Sequence, residues 1–452
     1  MSAFDRALSH SKKLRFDECE ISTVAKKITT VRITDSEIAE LKQSHERSFG
    51  MRVINGKRIA SYQTSNEDEL GMALDGLLDP CAPKERKFWQ SLPHEIGKTD
   101  PLEGTFDKKL DNVGGAEATD IAQQMINSAL HDKISEISGS LNIVSEKFEI
   151  RNSNGLFGTD RATYISGTIN SESESGSMMV SGLGQECCRT LDEFPAEKIG
   201  LDSKEMCLGS TNPKQCENDV YTLILEPYSV GELLAFVMFP NFSLKFLAEK
   251  KSCFANQFEK KIAVDEFNLV DDPHVPQGIG TKPFDDEGVQ TRENRLIRDG
   301  VFQNVFSNLY DSFKEGQEST GNAARPGMPM GRSTDPIPDS MPHNLHIKPG
   351  DKSQDELIQE TRHGLLVGRL WYTYALNPIK GDFSCTARSG IRIIENGKIT
   401  GPGKPVRIIH NLPSILHNIS GIGKYAKNVL QWASMPSIAP TIRVESVPAA
   451  PI

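Results

Sequence analysis

Three Asn-Gly pairs do most to limit what this chain can fold into. They are Asn55-Gly56 in MRVINGKRIASYQT, Asn154-Gly155 in IRNSNGLFG and Asn396-Gly397 in GIRIIENGKI, each set between apolar-alternating runs. A two-residue connection between paired strands needs positive φ, which Gly, Asn and Asp tolerate best, so each pair predicts a β-hairpin. Strand pairing is therefore expected in both halves of the chain. Helical spacing occurs beside it. DSEIAELKQ opens with an Asp or Ser cap before an amphipathic run, and NEDELGMALDGLLD has an acidic first turn with Leu and Met at helical intervals. AEATDIAQQMINSALHDKISEISGSL carries a third helical pattern and leads into a strand, turn and strand around Asn154-Gly155. The fold class is α+β.

The chain has 452 residues, and single cores stop growing at roughly 250–300 residues, so two domains are expected. Between Glu172 and Glu217, Ser, Gly and Cys are scattered through acidic helical fragments such as SKEMCLG. A boundary is expected at their end, before the strand-like VYTLILEP, giving domains 1–219 and 220–452. The second half has more Pro and Gly punctuation and strand-like segments such as KPVRIIHN. One passage, Thr320 to Ser353, is polar, aperiodic and proline-rich, and reads either as a flexible surface loop or as a lid that contacts peptide.

A formal net charge of -10 and the lack of a Lys/Arg stripe with interleaved aromatics argue against direct nucleic-acid binding. The longest apolar run, Leu233 to Phe239, is far too short to span a bilayer, and the first residues lack the apolar core of a signal peptide. No membrane association and a cytoplasmic location are expected. Eight cysteines are then thiols by default. Cys187, Cys188, Cys207 and Cys216 cluster in sequence but lack a Cys-x2-Cys knuckle or a nearby histidine.

No phosphate-binding glycine loop and no Gly-x-Ser-x-Gly elbow occur. His45-Glu46 and His94-Glu95 begin a zinc-hydrolase pattern that Phe49 and Lys98 fail to complete. His343 and His346 lie in the proline-rich passage, where nothing obvious holds two imidazoles on one face. Cys385, in the polar GDFSCTARSG, is either a thiol nucleophile awaiting a histidine or a small residue in a turn. In DDPHVPQGIGTKPFDDEG, five acids surround His274; they either bind a divalent metal or accept hydrogen bonds from the backbone of a rigid loop.

Taken in order, DDPHVPQGIGTKPFDDEGVQT, IRDGVFQNVFSNLYDS, STGNA, ETRHGLLVGRLW, NPIKGDFSCTARSG and IRIIENGKITGPGKPVRI resemble the TldD/PmbA family, as do RVINGKRIASYQTSN and IRNSNGLFG in the first half. The resemblance implies an N-terminal mixed helix/sheet domain and a C-terminal domain of curved β-sheet with helices, assembling as dimers around a cavity. Its active members are zinc metallopeptidases acting on unfolded or precursor peptides. TldD-type subunits carry His-Glu-x3-His on a helix after the first strand of the second domain, with a later Cys as third ligand. TldE/PmbA-type subunits lack these groups and pair with a TldD-type partner. In GELLAFVMFP, the same slot is filled by Ala235, Phe236 and Pro240, none able to bind zinc, and no cysteine follows Cys385.

The expectation is thus a subunit without catalytic residues, metal or cofactor of its own, zinc belonging to a TldD-type partner. That partner is a paralogous subunit, with a homodimer as the other arrangement, and the ligand an unfolded or precursor peptide. The competing reading is a peptidase active by itself, through a metal site built from His274, His343, His346 or His363, or through the thiol of Cys385. A third, a regulator of a DNA topoisomerase, rests on a label the family carries.

Overall fold

The computed structural model describes residues 3–77, 84–98, 102–431 and 435–452; Leu78 and Asp79, the end of one expected helix, and Cys81 lie outside these residues. Strands β1 (Glu18–Thr34), β2 (Glu37–Asn55), β3 (Arg58–Thr64), β4 (Lys84–Glu85), β5 (Glu136–Asn152), β6 (Phe157–Ser175) and β7 (Met178–Cys188) form one antiparallel sheet in the order β4-β3-β2-β1-β5-β6-β7. The Asn-Gly signals hold. Asn55 pairs with Arg58 across Gly56 at φ 61°, and Gly155, at φ 103°, lies in the loop joining β5 to β6.

The helix expected over DSEIAELKQ is instead the start of β2. Asp35 and Ser36, at φ 52° and 63°, form the turn in which Thr34 pairs with Glu37. An Asp-Ser pair serves a left-handed turn as well as a helix cap, and the first half of β2 is largely exposed, so it lacks the alternation that reveals a strand. The helix Glu69–Gly76 forms as expected; the next ends at Ala129, and the residues from Glu136 belong to β5.

Central strand β1 is buried on both faces. On one face Val31, Ile33, Leu141, Ile143 and Ile165 pack against the helices Gly115–Ala129 and Ala196–Leu208. Those two helices touch closely: a methyl group on Gly200 would stand 2.2 Å from the Met125 carbonyl oxygen. On the other face Val24, Ile28, Val144 and Phe148 meet Ile279, Phe284 and Met330 from the second half of the chain.

That second half is built on a thirteen-stranded sheet. Its strands are β8 (Asp219–Leu225), β9 (Leu269–Asp271), β10 (Asn294–Arg298), β11 (Val301–Phe302), β14 (Leu345–Ile347), β15 (His363–Val367), β16 (Arg369–Asn377), β17 (Asp382–Ser389), β18 (Arg392–Glu395), β19 (Lys398–Pro402), β20 (Val406–Asn411), β21 (Ile419–Leu430) and β22 (Pro436–Pro451); β12 (Ala323–Ala324) and β13 (Asp339–Ser340) pair separately. Strand β22 ties the sheet together, pairing with β8, β14, β20 and β21. Asn396 and Gly397, both at positive φ, close the hairpin between β18 and β19.

The proline-rich passage from Thr320 is not a flexible surface loop. Asn322, Arg325, Arg332, Thr334, His343 and Asn344 are all buried, and the passage threads between the two sheets. Its polar composition is explained by what it meets there, a set of buried carboxylates.

Candidate functional site

Strand β8 delivers the chain to Pro227, whose fixed φ suits the first turn of a helix. The α-helix runs only from Pro227 to Leu233. It widens into a π turn over Leu234–Met238, in which the Phe239 N–H donates to the Leu234 carbonyl, and tightens into a 3-10 turn over Phe239–Phe242. Pro240 therefore marks a change of winding and not a simple helix stop. It has no N–H to continue the ladder, and its ring crowds the preceding turn, so the winding changes around it. The buried Asn241 then secures the distorted end: its side-chain amide donates to the Val237 carbonyl at 2.8 Å, and its Oδ1 accepts the Cys253 N–H at 3.0 Å.

Histidines five positions apart, the spacing the family resemblance implies, stand about 140° apart around an α-helix of 3.6 residues per turn. A π turn brings positions i and i+5 much closer to one side. Ala235 and Pro240, five positions apart, flank such a turn and carry no donor group. Ala235 is buried, Phe236 packs against the core and Pro240 is half-buried. A methyl, a phenyl and a pyrrolidine ring offer no lone pair to zinc, so these residues do not fit the metal. The nearest carboxyl on this helix, Glu232, is 2% exposed and its Oε2 has no partner. Burial pushes it up to about 8 against the opposing pull of Arg369, so at neutral pH it is mostly a neutral acid.

Two cavities lie near the slot. The larger, about 280 Å³, is lined by Arg52, Ile59, Arg86 and Trp89 from the first sheet's side and by Phe239, Phe246, Tyr310 and Met341 from the second. The smaller, about 80 Å³, is lined by Lys282, Asp286, Arg332 and His343 and shares Met341 with the first. Phe239 belongs to the slot itself. At the helix's other end Gly231 packs on Val429, beside Leu430 and Pro436 on the smaller cavity's rim. The larger cleft mixes apolar side chains with charged ones, Arg86, Lys245, Asp311 and Asp339 among them, and clefts between structural units are common sites for ligands.

Buried ion pairs fix the cleft walls. Arg52 bridges Glu20 at 2.9 Å and Glu287 at 2.8 Å, and Arg325 reaches Glu20 at 2.6 Å. Arg332 joins Asp160 and Asp286, each at 2.8 Å, and Glu146 at 3.2 Å. Although burial opposes it, Lys282 and Arg332 hold the Asp286 carboxyl well below its usual range. Arg189, fully buried, donates to the carbonyls of Gly278, Ile279 and Thr281 and so fastens the glycine-rich loop to β7's end.

In the acidic segment around His274, carboxylates accept from the backbone, the structural alternative raised by its sequence. Asp271 takes N–H groups of His343 and Asn344, and burial raises it to about 6. Asp285 accepts from Glu287, Val289 and Ala323, and burial beside Glu287 pushes it up.

The other candidates do not converge. His274 Nε2 lies 3.2 Å from Thr291 Oγ1. His343 Nε2 donates to the Gly321 carbonyl at 2.7 Å, and burial lowers this ring to about 3; His346, on β14, is lowered by burial to about 4. His363, on β15, stacks on Tyr221 with its Nδ1 2.7 Å from Glu395 on β18. Cys385 is buried on β17, and burial beside Glu232 pushes its thiol far up. Cys253 is pushed up to about 12 by burial. Cys188, Cys187 and Cys216 sit in three different packing clusters. Among the described residues no three His, Cys, Asp or Glu side chains are placed to hold a metal ion. Sequence reasoning missed Glu232 and the arginine network; the one signal was two arginines, Arg325 and Arg332, inside a Pro/Gly-rich passage.

Residues 218–450 match the model of the PmbA/TldA metallopeptidase C-terminal domain, and residues 19–79 match that of PmbA/TldA metallopeptidase domain 1. A metalloprotease of Methanothermobacter thermautotrophicus is 23% identical over 426 residues, covering 90% of this chain and 88% of that protein. The metalloprotease PmbA of Escherichia coli O157:H7 is 30% identical over 175 residues, 38% of this chain and 35% of that protein. The crystal structure of TldE from Thermococcus kodakarensis has the same fold, with a TM-score of 0.88 at 23% identity over 99% of this chain and 100% of that one. Two domain models covering well over half of its residues show that this chain belongs to the TldD/PmbA family.

Proposed function

We propose that this chain is a non-catalytic TldE/PmbA-type subunit that completes a peptide-binding cavity for a zinc-bearing TldD-type partner. The observation that carries the reading is the slot: a π-wound turn with Ala235, Phe236 and Pro240 where the family's ligands would stand. The cleft of about 280 Å³ beside Phe239 supplies a place for an unfolded or precursor peptide, with backbone hydrogen bonds along an exposed strand edge adding affinity without sequence preference. The two sheets then serve as two domains dividing at residues 219 and 220, the reaction being proteolysis in the cytoplasm. Among the described residues no helix is long and apolar enough to cross a membrane.

The test is metal content and peptide cleavage of the purified chain, with and without chelator, alone and with copurified partners from its native host. The expected result is no stoichiometric zinc and no cleavage alone, with a His-Glu-x3-His subunit recovered in the complex. Chelator-sensitive cleavage by the isolated chain would establish the competing reading of a self-sufficient peptidase.

A further inference from the structure

The first sheet is covered unevenly on its helical side. Ile21 of β1 packs with the helices Ala3–Lys13 and Glu69–Gly76, and Val31 and Ile33 pack with Gly115–Ala129, while Ala25 and Lys27 between them are only half-buried. A groove of about 500 Å³ opens there. Strand register says what lines it. Arg47, Ala25, Lys147 and Arg161 form one row across β2, β1, β5 and β6, and His45, Lys27 and Ser145 form the next. Directly paired residues share a face of the sheet, so these side chains all stand on the groove side. Glu46 and Glu146 also border the groove, but they pair with Lys26 and belong to the opposite face.

With strands about 4.8 Å apart and alternate residues about 6.8 Å apart along each, Arg47, Lys147 and Lys27 stand on three sides of Ala25, whose methyl leaves the centre of the ring open. Like charges directly opposite destabilise a sheet, yet Lys147 faces Arg161. Fixed acids answer only part of this charge: Glu67 meets Arg47 at 2.8 Å and Asp111 meets Arg161 at 3.7 Å. Lys27 donates one N–H to the Asp111 carbonyl at 2.8 Å and keeps two, and among the described residues the Lys147 ammonium has no partner. Both arginines are already held, their guanidinium carbons 4.8 and 3.9 Å from the ring centroids of Phe49 and Phe106. Thr23, two residues from Ala25 on the same face, is 6% exposed, and its hydroxyl has no partner. Buried hydroxyls are normally hydrogen-bonded, so this one awaits an acceptor or a donor that the chain does not supply.

We propose that this groove binds a phosphate group, seated over Ala25 and held by Arg47, Lys147 and Lys27, with Arg161 at the rim. A tetrahedral dianion presents oxygens in several directions at once, which suits cations converging from three strands; one planar carboxylate is met by a single guanidinium. The ligand is inorganic phosphate or the phosphoryl group of a small organic monoester. The cleft lined by Arg52 lies on the other face of this sheet, where Arg52 pairs with Glu20, so the proposal stands apart from the silent-subunit reading.

Thermal melts of the full chain in phosphate and in chloride at equal ionic strength, with calorimetric titration of inorganic phosphate and of glycerol phosphate, test it. Phosphate raises the wild-type melting temperature beyond what chloride does. Lys147→Gln weakens phosphate binding by at least about 10-fold with unchanged circular dichroism, since no fixed partner is lost. Ala25→Glu sets a carboxylate among the cations, so it melts higher than the wild type in chloride and no longer responds to phosphate. Lys398→Gln, on β19, is the control and binds as the wild type does. Glycerol phosphate bound at least as tightly as inorganic phosphate assigns the groove to an organic monoester; inorganic phosphate bound alone assigns it to the free anion. A phosphate response no larger than that to chloride overturns the proposal, as does equal loss in Lys398→Gln or equal binding of citrate. Metal content and cleavage are not read in these measurements, so failure here leaves the silent-subunit reading to its own test.

Discussion

Arg332→Met tests the interior between the two sheets. The substitution keeps most of the side-chain volume and deletes a cation that meets Asp160, Asp286 and Glu146 within 2.8 to 3.2 Å. Removing one member of a buried ion-paired set leaves the remaining charges unpaired and costs about 3–5 kcal/mol. Here Lys26 still reaches Glu146 at 3.7 Å and Lys282 still reaches Asp286 at 3.0 Å, so the lower end, about 3 kcal/mol, is expected. Urea unfolding at pH 7, followed by tryptophan fluorescence, measures it. Asp286 has a depressed folded-state pKa, so its stabilising contribution is full above its unfolded value near 4 and is lost as pH falls through the folded value. Arg332 is part of that depression. Removing Arg332 raises the variant's folded value, so the gap between wild type and variant narrows as pH falls from that value toward the wild type's lower one. A loss under about 1 kcal/mol at pH 7, or a gap that widens as pH falls, would refute the view that these pairs clamp the two sheets.

Glu232→Gln replaces a mostly neutral acid by a neutral amide, so stability at pH 5 changes little. Because the folded carboxyl titrates at about 8 and the unfolded one far lower, wild-type stability from this group falls as pH rises between those values, and the variant gains relative to wild type over that range in thermal melts. Gly56→Ala meets no atom within 4 Å, yet φ 61° is costly for alanine, so a loss of about 1 kcal/mol is expected, and Gly56→Asn should lose less. Cys385, buried with a raised thiol pKa, should resist iodoacetamide at pH 7 in the folded chain and react in urea, as read by peptide mass spectrometry.

The hairpins were legible because positive φ at Gly56 and at Asn396-Gly397 is a local requirement that a few residue types meet. The strand that replaced a helix at Asp35 was not, since its exposure is a tertiary fact and Asp-Ser is locally ambiguous. Nor was the fate of the proline-rich passage. Arg325 and Arg332 look like surface charges until Glu20, Glu146 and Asp286, far away in sequence, are brought to them by β1, β5 and the acidic loop. That Ala235, Phe236 and Pro240 carry no metal-binding group was plain in the sequence, but the change of winding there was visible only as a proline. Glu232 lay in plain view inside an apolar run; what burial does to its proton was not.

The π turn at Leu234–Met238 has one more consequence. The widened coil is held by Asn241 and by packing on both sides, so its winding does not depend on what chemical groups positions 235 and 236 carry. Anyone grafting metal donors into this chain would be spared building the curve of the coil and would need instead to supply imidazoles, a base, a third ligand and the room that Phe236 fills.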